Sequence, residues 1–436
     1  MQSVAFITIG CKLNRFETEQ MRELAQQHGF VCSETDRGFD VCVVNTCTVT
    51  SKSDYRSRQA VRRAIKANPD ARIVVTGCYA QRCPEEVASI KGVDAVVGNL
   101  EKEKILRYLA DGKRDRPVVE VSGTDRMQTL PARTRLHRFG GYTRAFIKIQ
   151  DGCDNRCSYC AVPLARGGSR SKRPEDIKEE IEVLVDEGFR EVVLTGVHLG
   201  AYGRDLGPPT SLAGLLEEVA LVPGLRRVRL SSIEPTDFSD CLIEMMADRA
   251  TKICPHVHVP LQSGDDGVLR RMGRPYTRGF YSKVIRAIAR FVPDCGIGAD
   301  VMVGFPGEDV AAFENTRNLV EDLPLTYLHV FAFSRRSGTR AALLEGGVAP
   351  EEKKARSKIL RDLGRAKSEA FRKSLEGKTI EVLVLDRKAA DLRVGLSGNY
   401  VKTYLRGPVG RGQILSARVK SIYDDGVLAY RDGSPG

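Results

Sequence analysis

The stretch RAFIKIQDGCDNRCSYCAVP, residues 144–163, joins a strand-like run to three closely spaced cysteines, Cys153, Cys157 and Cys160. β-Branched and aromatic residues over 144–150 predict a strand, and the cysteines follow at its carboxyl end. Three thiols in so tight a loop cannot serve three different strands, so they surround one object. Compact Cys-rich loops hold iron–sulfur clusters through thiolates, and the cubane form normally takes four. Three leave one iron open to a ligand from outside the protein. A zinc site completed by a remote ligand, with Cys254, His256 and His258 as candidates, is the alternative.

Working outward, the strand–helix rhythm recurs. Strand candidates EVVLTGV (191–197), RRVRLSS (226–232), HVHVPL (256–261), GIGADVMVGF (296–305) and YLHVFAF (327–333) are separated by helical stretches such as EDIKEEIEVLVDEG and FYSKVIRAIARFV. Six β/α units over residues 139–345 suit a partial, TIM-like (β/α)6 barrel, and an open doubly wound sheet is the structural alternative. Residues 1–112 alternate likewise and predict an open parallel α/β domain. There Cys11, Cys47 and Cys78 each stand just past a strand, in VAFITIGC, DVCVVNTC and RIVVTGC. Parallel strands direct those ends to one edge, where ligand sites of open sheets form, so the three converge as a candidate metal triad. Cys83 is the one credible substitute, and Cys32, Cys42, Cys241, Cys254 and Cys295 are read as structural. A polar, Arg-rich linker is expected over 113–138 and a charged connecting helix over 346–376. Over 377–436, short alternating runs broken by Gly and Asp predict a small all-β barrel.

The 436 residues suit roughly three domains. A formal charge of +12 points to an anionic partner, of which nucleic acid is the commonest. No segment approaches the roughly 18 apolar residues of a membrane span, and no basic region with an apolar run opens the sequence. A soluble, cytoplasmic protein without a membrane partner is expected. Twelve cysteines, irregularly spaced, fit a reducing compartment and metal or redox use.

Cys-x3-Cys-x2-Cys on the first loop of a partial barrel resembles the radical S-adenosylmethionine superfamily. The resemblance implies that the cofactor's methionyl amine and carboxylate occupy the open iron of a [4Fe-4S] cluster. One electron then cleaves the sulfonium to a 5′-deoxyadenosyl radical, chemistry needed only for an unactivated C–H bond. The whole arrangement, from three-cysteine α/β domain through radical barrel to terminal β module, is similar to the methylthiotransferase family. NTCTV, TGC, HVPLQSG and GFPGE are family-like blocks, and EVLVLD to SARVKSI resembles the RNA-binding TRAM domain. This implies two [4Fe-4S] clusters, with Cys11, Cys47 and Cys78 holding the one that carries or donates sulfur. One S-adenosylmethionine supplies the methyl group and a second the radical.

The same resemblance places Tyr159 near the adenine and the backbone of Thr195 and Gly196 at the methionyl amine. Ser232, Glu234, Gln262, Val303 and Gly304, at later strand ends, become contacts of ribose or adenine, although a barrel interior fills with side chains in any case. His256 and His258 alternate in one strand and are expected to be structural or to touch substrate. Family members modify an adenosine beside the tRNA anticodon or an aspartate of a small-subunit ribosomal protein. The basic helices KSDYRSRQAVRRAIK and KKARSKILRDLGRAKSEAFRK favour RNA, whose unstacked loop bases are reachable without melting a duplex. CAVPLARGGSRSKRP looks more like the branch acting on N6-threonylcarbamoyladenosine than the isopentenyladenosine branch. Arg166, Arg170 and Arg173 are candidates for the carboxylate of that threonylcarbamoyl group. The partners implied are the tRNA anticodon stem-loop and an electron donor such as flavodoxin or ferredoxin, not DNA. An RNA-binding module without chemistry, the competing class, would not need six cysteines at strand ends.

Overall fold

The computed structural model describes residues 2–33, 38–130, 136 and 139–432. They fall into two compact units, one of Met1–Arg138, Lys148–Asp176 and Ser334–Ala342, the other of Phe139–Ile147, Ile177–Phe333 and Leu343–Gly436. The division departs from the expected segment 139–345, because the loop carrying Cys153, Cys157 and Cys160 packs in the first unit.

In the first unit β1 (Ser3–Thr8), β2 (Val31–Ser33), β3 (Val41–Thr46), β4 (Arg72–Gly77), β5 (Ala95–Val97) and β6 (Val118–Glu120) form one sheet in the order β2-β1-β3-β4-β5-β6, and every pairing is parallel. Alternate residues feed two cores. Cys42, Val44, Ile73 and Val75 pack with Ala60, Val61 and Ala64 of the helix Ser51–Ala67; Val41, Val43 and Val74 pack with Met21 and Ala25 of the helix Lys12–Gln27. Burial on both faces is why these strands read as unbroken apolar runs, each fully buried Val or Ile contributing about 1.5–3 kcal/mol. β6 lies inside the stretch expected to be a linker, a three-residue edge strand too short to show a period. The strand order reverses direction between β1 and β3, the switch point at whose carboxyl edge open α/β sheets bind ligands.

β7 (Ala145–Lys148) is followed by β8 (Gln150–Asp151) and β9 (Arg170–Ser171), an antiparallel pair that brackets the Cys153 loop in the first unit. The second unit continues with β10 (Glu191–Thr195), β11 (Arg227–Leu230), β12 (His256–His258), β13 (Gly296–Val303) and β14 (Tyr327–Ala332). They make two three-stranded sheets, β11-β10-β7 and β12-β13-β14, joined through the isolated parallel bridges Val228↔Ile253 and Ser232↔His258. Six strands in sequence order, with helices between them, match the expected β/α succession.

A 25-residue helix, Pro350–Ser374, leads to β15 (Thr379–Ala389), β16 (Leu392–Ser397), β17 (Lys402–Arg406), β18 (Ile414–Tyr423) and β19 (Gly426–Arg431). These close into a barrel in the order β15-β16-β17-β19-β18, so no strand edge is left open. Within this unit a buried ion cluster fastens the barrel to the amino ends of β10 and β11. Glu191, with no exposed side-chain surface, accepts from Arg229 Nε at 2.9 Å and from Arg227 Nε at 2.9 Å. The guanidiniums donate onward to the carbonyls of Leu396, Ser397 and Gly398 at 2.8–3.1 Å. Gly296, at the start of β13, has to be glycine because a Cβ there would lie 2.2 Å from the Asn399 carbonyl oxygen.

Candidate functional site

Cys11, Cys47 and Cys78 stand at the carboxyl ends of β1, β3 and β4, three adjacent strands. Two glycines let their backbones approach. Gly10, at φ +123°, would carry a Cβ 2.9 Å from Cys47 Cβ and 3.2 Å from its Sγ; Gly77, at φ +95°, would carry one 2.4 Å from the Thr46 carbonyl. Asn14 is wholly buried and donates from Nδ2 to the carbonyls of Ile9 at 2.7 Å and Thr46 at 2.9 Å. Asn45 donates back to the Asn14 carbonyl at 2.9 Å. Burial pushes the Cys47 thiol up to about 11, and the neighbouring Cys78 and Cys11 push in the same direction. A bound metal reverses that preference, since a coordinating thiol is deprotonated outright.

The second triad is folded by its own glycine. Gly152 has φ +72°, and a Cβ on it would sit 1.8 Å from the Gly168 carbonyl oxygen. The Cys153 N–H donates to the Gly167 carbonyl at 3.1 Å, Cys160 N–H to Cys157 at 3.2 Å, and Asn155 N–H to Cys153 Sγ at 3.4 Å. Ser334–Ala342 reaches both cysteine loops, an element the sequence reading passed over. Ala341 N–H donates to the Ser158 carbonyl at 2.7 Å, and Arg336 Nη2 reaches Thr48 Oγ1 and Asp54 Oδ2, each at 2.6 Å.

Sulfur spacing bears on the zinc alternative. Zn–S bonds of about 2.3 Å in a tetrahedron place sulfurs under about 4 Å apart. Neither cysteine triad brings its three sulfurs within 4.8 Å of one another, whereas His258, Asp300 and His329 do meet that limit. As placed, neither triad closes on a single ion. Two of the three remote zinc candidates have other partners: His256 Nε2 lies 2.8 Å from Tyr327 Oη, and His258 Nε2 lies 3.0 Å from Asp300 Oδ1. None of the twelve cysteines is in a disulfide.

Arg166 and Arg170, read as receptors for a substrate carboxylate, are buried at 3% and 6% exposure. Arg166 is fully committed. Nη1 donates to Glu17 at 2.7 Å and to Asp151 at 3.0 Å, Nη2 to Asn14 at 2.8 Å and Glu17 at 3.2 Å, and Nε to Cys78 Sγ at 3.2 Å. Arg170 Nη1 donates to the carbonyls of Met127 and Arg166 at 3.1 and 2.8 Å. Arg173 is exposed and pairs with Asp176 at 2.9 Å. Burial alone would raise the Glu17 carboxyl, but Arg166, Lys102 and Lys148 hold it well below the usual range. This cluster lines a 570 Å³ cavity of the first unit.

Among the strand-end residues of the second unit, Gln262 carries the clearest ligand signal. It adopts φ +64°, its backbone pairs with Val301, and its buried Oε1 has no hydrogen-bond partner among the described residues. Thr195, buried, ends β10, and half-buried Gly196 follows it. Ser232 is exposed, while its neighbour Ser231 has the buried, unpartnered hydroxyl that the sequence reading missed. The Glu234 carboxylate pairs with Arg274 through one oxygen, and the Gly304 N–H donates to Glu308 Oε1 at 2.8 Å. Val303 is fully buried, and Tyr159 is half-buried in the Cys loop. Elsewhere in this unit a 690 Å³ groove is lined by Arg190, Arg226, Arg411 and Arg431, with no carboxylate among its lining residues.

Residues 3–98 match the model of an uncharacterized protein family, UPF0004, and residues 147–320 that of the radical SAM superfamily. The chain is 39% identical over 413 residues to the threonylcarbamoyladenosine tRNA methylthiotransferase MtaB of Bacillus subtilis (strain 168), covering 93% of this chain and 91% of the relative. It is 38% identical to the protein of that name from Thermotoga maritima, over 99% of this chain and 97% of the relative. A tRNA-2-methylthio-N(6)-dimethylallyladenosine synthase of Moorella thermoacetica is 37% identical over 87% of this chain and 86% of the relative. Among solved structures, the radical S-adenosylmethionine methyltransferase TsrM of Kitasatospora setae superposes with a TM-score of 0.57 at 17% identity, covering 79% of this chain and 77% of that one. That likeness concerns the fold.

Proposed function

Because the chain belongs to the radical S-adenosylmethionine methylthiotransferase family, we propose that it converts N6-threonylcarbamoyladenosine beside the tRNA anticodon to its 2-methylthio derivative. The observation that carries the reading is the pair of cysteine triads, one at the carboxyl ends of three adjacent strands and one in a single compact loop, in a chain 38–39% identical to the threonylcarbamoyladenosine tRNA methylthiotransferases over more than nine-tenths of its length.

Cys153, Cys157 and Cys160 would hold one [4Fe-4S] cluster and Cys11, Cys47 and Cys78 the other, each with an iron left for a non-protein ligand. S-adenosylmethionine at the first supplies hydrogen-atom abstraction from an unactivated carbon and the methyl group, and the second cluster supplies sulfur. The chain's own residues prepare these sites. Gly10, Gly77 and Gly152 let the loops close, Asn14 locks Cys11 to Cys47, and Arg166 sets a fixed positive charge against Cys78. Gln262 Oε1 is our candidate for a polar contact with the cofactor, in company with Tyr159 and the backbone of Thr195 and Gly196.

The arginine groove of the second unit suits RNA phosphates, and exposed Arg173 is the one remaining candidate of its group for the threonylcarbamoyl carboxylate. A flavodoxin- or ferredoxin-like donor supplies the electron, and a cytoplasmic site of action follows from the tRNA substrate. Mass spectrometry of tRNA nucleosides tests the assignment. A host lacking this gene and any paralogue is expected to lack the 2-methylthio-threonylcarbamoyl nucleoside and to regain it on complementation. Restoration of a 2-methylthio-isopentenyl nucleoside instead would move the chain to the other branch, and unchanged tRNA would point to the ribosomal protein.

A further inference from the structure

We propose that Arg166 is a positioning residue for the cluster of the first triad: by donating to Cys78 Sγ it raises that cluster's reduction potential, while its position just after the second triad ties the two cysteine loops together. The proposal rests on the methylthiotransferase reading only for the presence of the cluster.

The guanidinium has five N–H donors, and all five are placed. One meets Cys78 Sγ, one Asn14, two Glu17 and one Asp151. Its acceptors come from both halves of the site. Asn14 and Glu17 lie on the helix that Cys11 opens, and Asp151 stands two residues before Cys153. A guanidinium cannot be deprotonated at any working pH, so the charge beside the sulfur is permanent.

Charge balance gives a second, independent reason. Lys102 and Arg166, buried, and Lys148, half-buried, lie among the described residues within ion-pair distance of two buried carboxylates, Glu17 and Asp151. Glu103 acts on Lys148 only from longer range. Buried charge in excess of its partners is costly, so this cluster calls for further negative charge nearby. Thiolates bound to iron provide it, and Cys78 is the sulfur in contact. Hydrogen bonds and positive charge at cluster sulfurs favour the reduced, more negative state and therefore raise the potential.

The test uses the full chain with Cys153, Cys157 and Cys160 replaced by Ala, so that the first triad's cluster alone is loaded. Its midpoint is read by EPR-monitored redox titration in that background and in the same background with Arg166→Gln or Arg166→Lys. The expected order is lowest for R166Q, intermediate for R166K, which keeps the charge but not the fork, and highest with Arg166. Equal midpoints in the three proteins would overturn the proposal. If R166Q fails to retain iron, the comparison of R166K with the parent decides alone, a lower midpoint supporting the proposal and an equal one overturning it. No tRNA enters this measurement, so a wrong nucleoside assignment would leave the potentials as expected, and a correct one would not rescue equal midpoints.

Discussion

Asn14 Nδ2 donates to the Thr46 carbonyl oxygen at 2.9 Å, so a residue three positions after Cys11 is bolted to the residue immediately before Cys47. The convergence of the first triad thus depends on a buried amide as much as on strand order. Removing it leaves the carbonyls of Ile9 and Thr46 without this donor and Arg166 without one acceptor.

Asn14→Ala is therefore expected to destabilise the first unit by about 1–3 kcal/mol, the cost of stranding buried polar groups. It should also release the iron of the first triad while the second keeps its own. Denaturant titration and iron analysis of the reconstituted protein check both parts. Full iron retention with unchanged stability would contradict the role given to Asn14.

Gly77 and Gly29 both have positive φ, but their surroundings differ. A Cβ at Gly77 meets the Thr46 carbonyl at 2.4 Å, whereas one at Gly29 meets nothing within 4 Å. Gly77→Ala is expected to cost about 3 kcal/mol or more through strain and backbone clash, and Gly29→Ala only about 1 kcal/mol through strain. Thermal unfolding of the two variants measures the contrast.

Glu191 is wholly buried; burial would raise its carboxyl, but Arg229, Arg227 and Arg144 lower it to about 2. A depressed carboxyl contributes stability that is complete above its unfolded value of 4.5 and is lost as pH falls through about 2. The shift corresponds to about 3 kcal/mol. Glu191→Gln should lower stability at neutral pH by about 3–5 kcal/mol, by stranding buried guanidiniums, and flatten the loss of stability between about pH 5 and 2. Chemical denaturation across that range would show a parallel decline in both proteins if the carboxylate were not responsible.

Replacing Arg226 and Arg431 together by Ala removes half of the arginines lining the groove of the second unit. Weaker binding of unmodified tRNA is expected. The slope of log affinity against log salt should fall by about 1–2, the mark of one or two lost phosphate contacts. An unchanged slope would take the groove out of the RNA interface.

Much of the site was legible in the sequence because its signals are short-range. A strand followed by a cysteine places that cysteine at a sheet edge whatever the rest of the chain does, which fixed Cys11, Cys47 and Cys78. The loop of Cys153 to Cys160 is compact in sequence and therefore compact in space. Partners were not legible. Arg166 and Arg170 read as candidates for a substrate carboxylate and Glu234 for the cofactor, but an ionic side chain reads the same whether it meets a ligand or a counter-ion. Their counter-ions come from distant positions, Glu17 to Arg166 spanning 149 residues and Glu234 to Arg274 spanning 40. Nor could a linker-like composition reveal that Val118–Glu120 completes a sheet, since an edge strand is defined by its neighbour.

The central claim, that both triads serve methylthiolation of a threonylcarbamoyl nucleoside, is tested most directly with the reconstituted full chain. It is given S-adenosylmethionine, a reductant, a sulfide source and two anticodon stem-loops, one bearing N6-threonylcarbamoyladenosine and the other N6-isopentenyladenosine. Mass spectrometry is expected to find one methylthio group in place of one hydrogen on the threonylcarbamoyl RNA only, and none when either cysteine triad is replaced by Ala. Modification of the isopentenyl RNA instead, or of the threonylcarbamoyl RNA by protein lacking Cys11, Cys47 and Cys78, would contradict it.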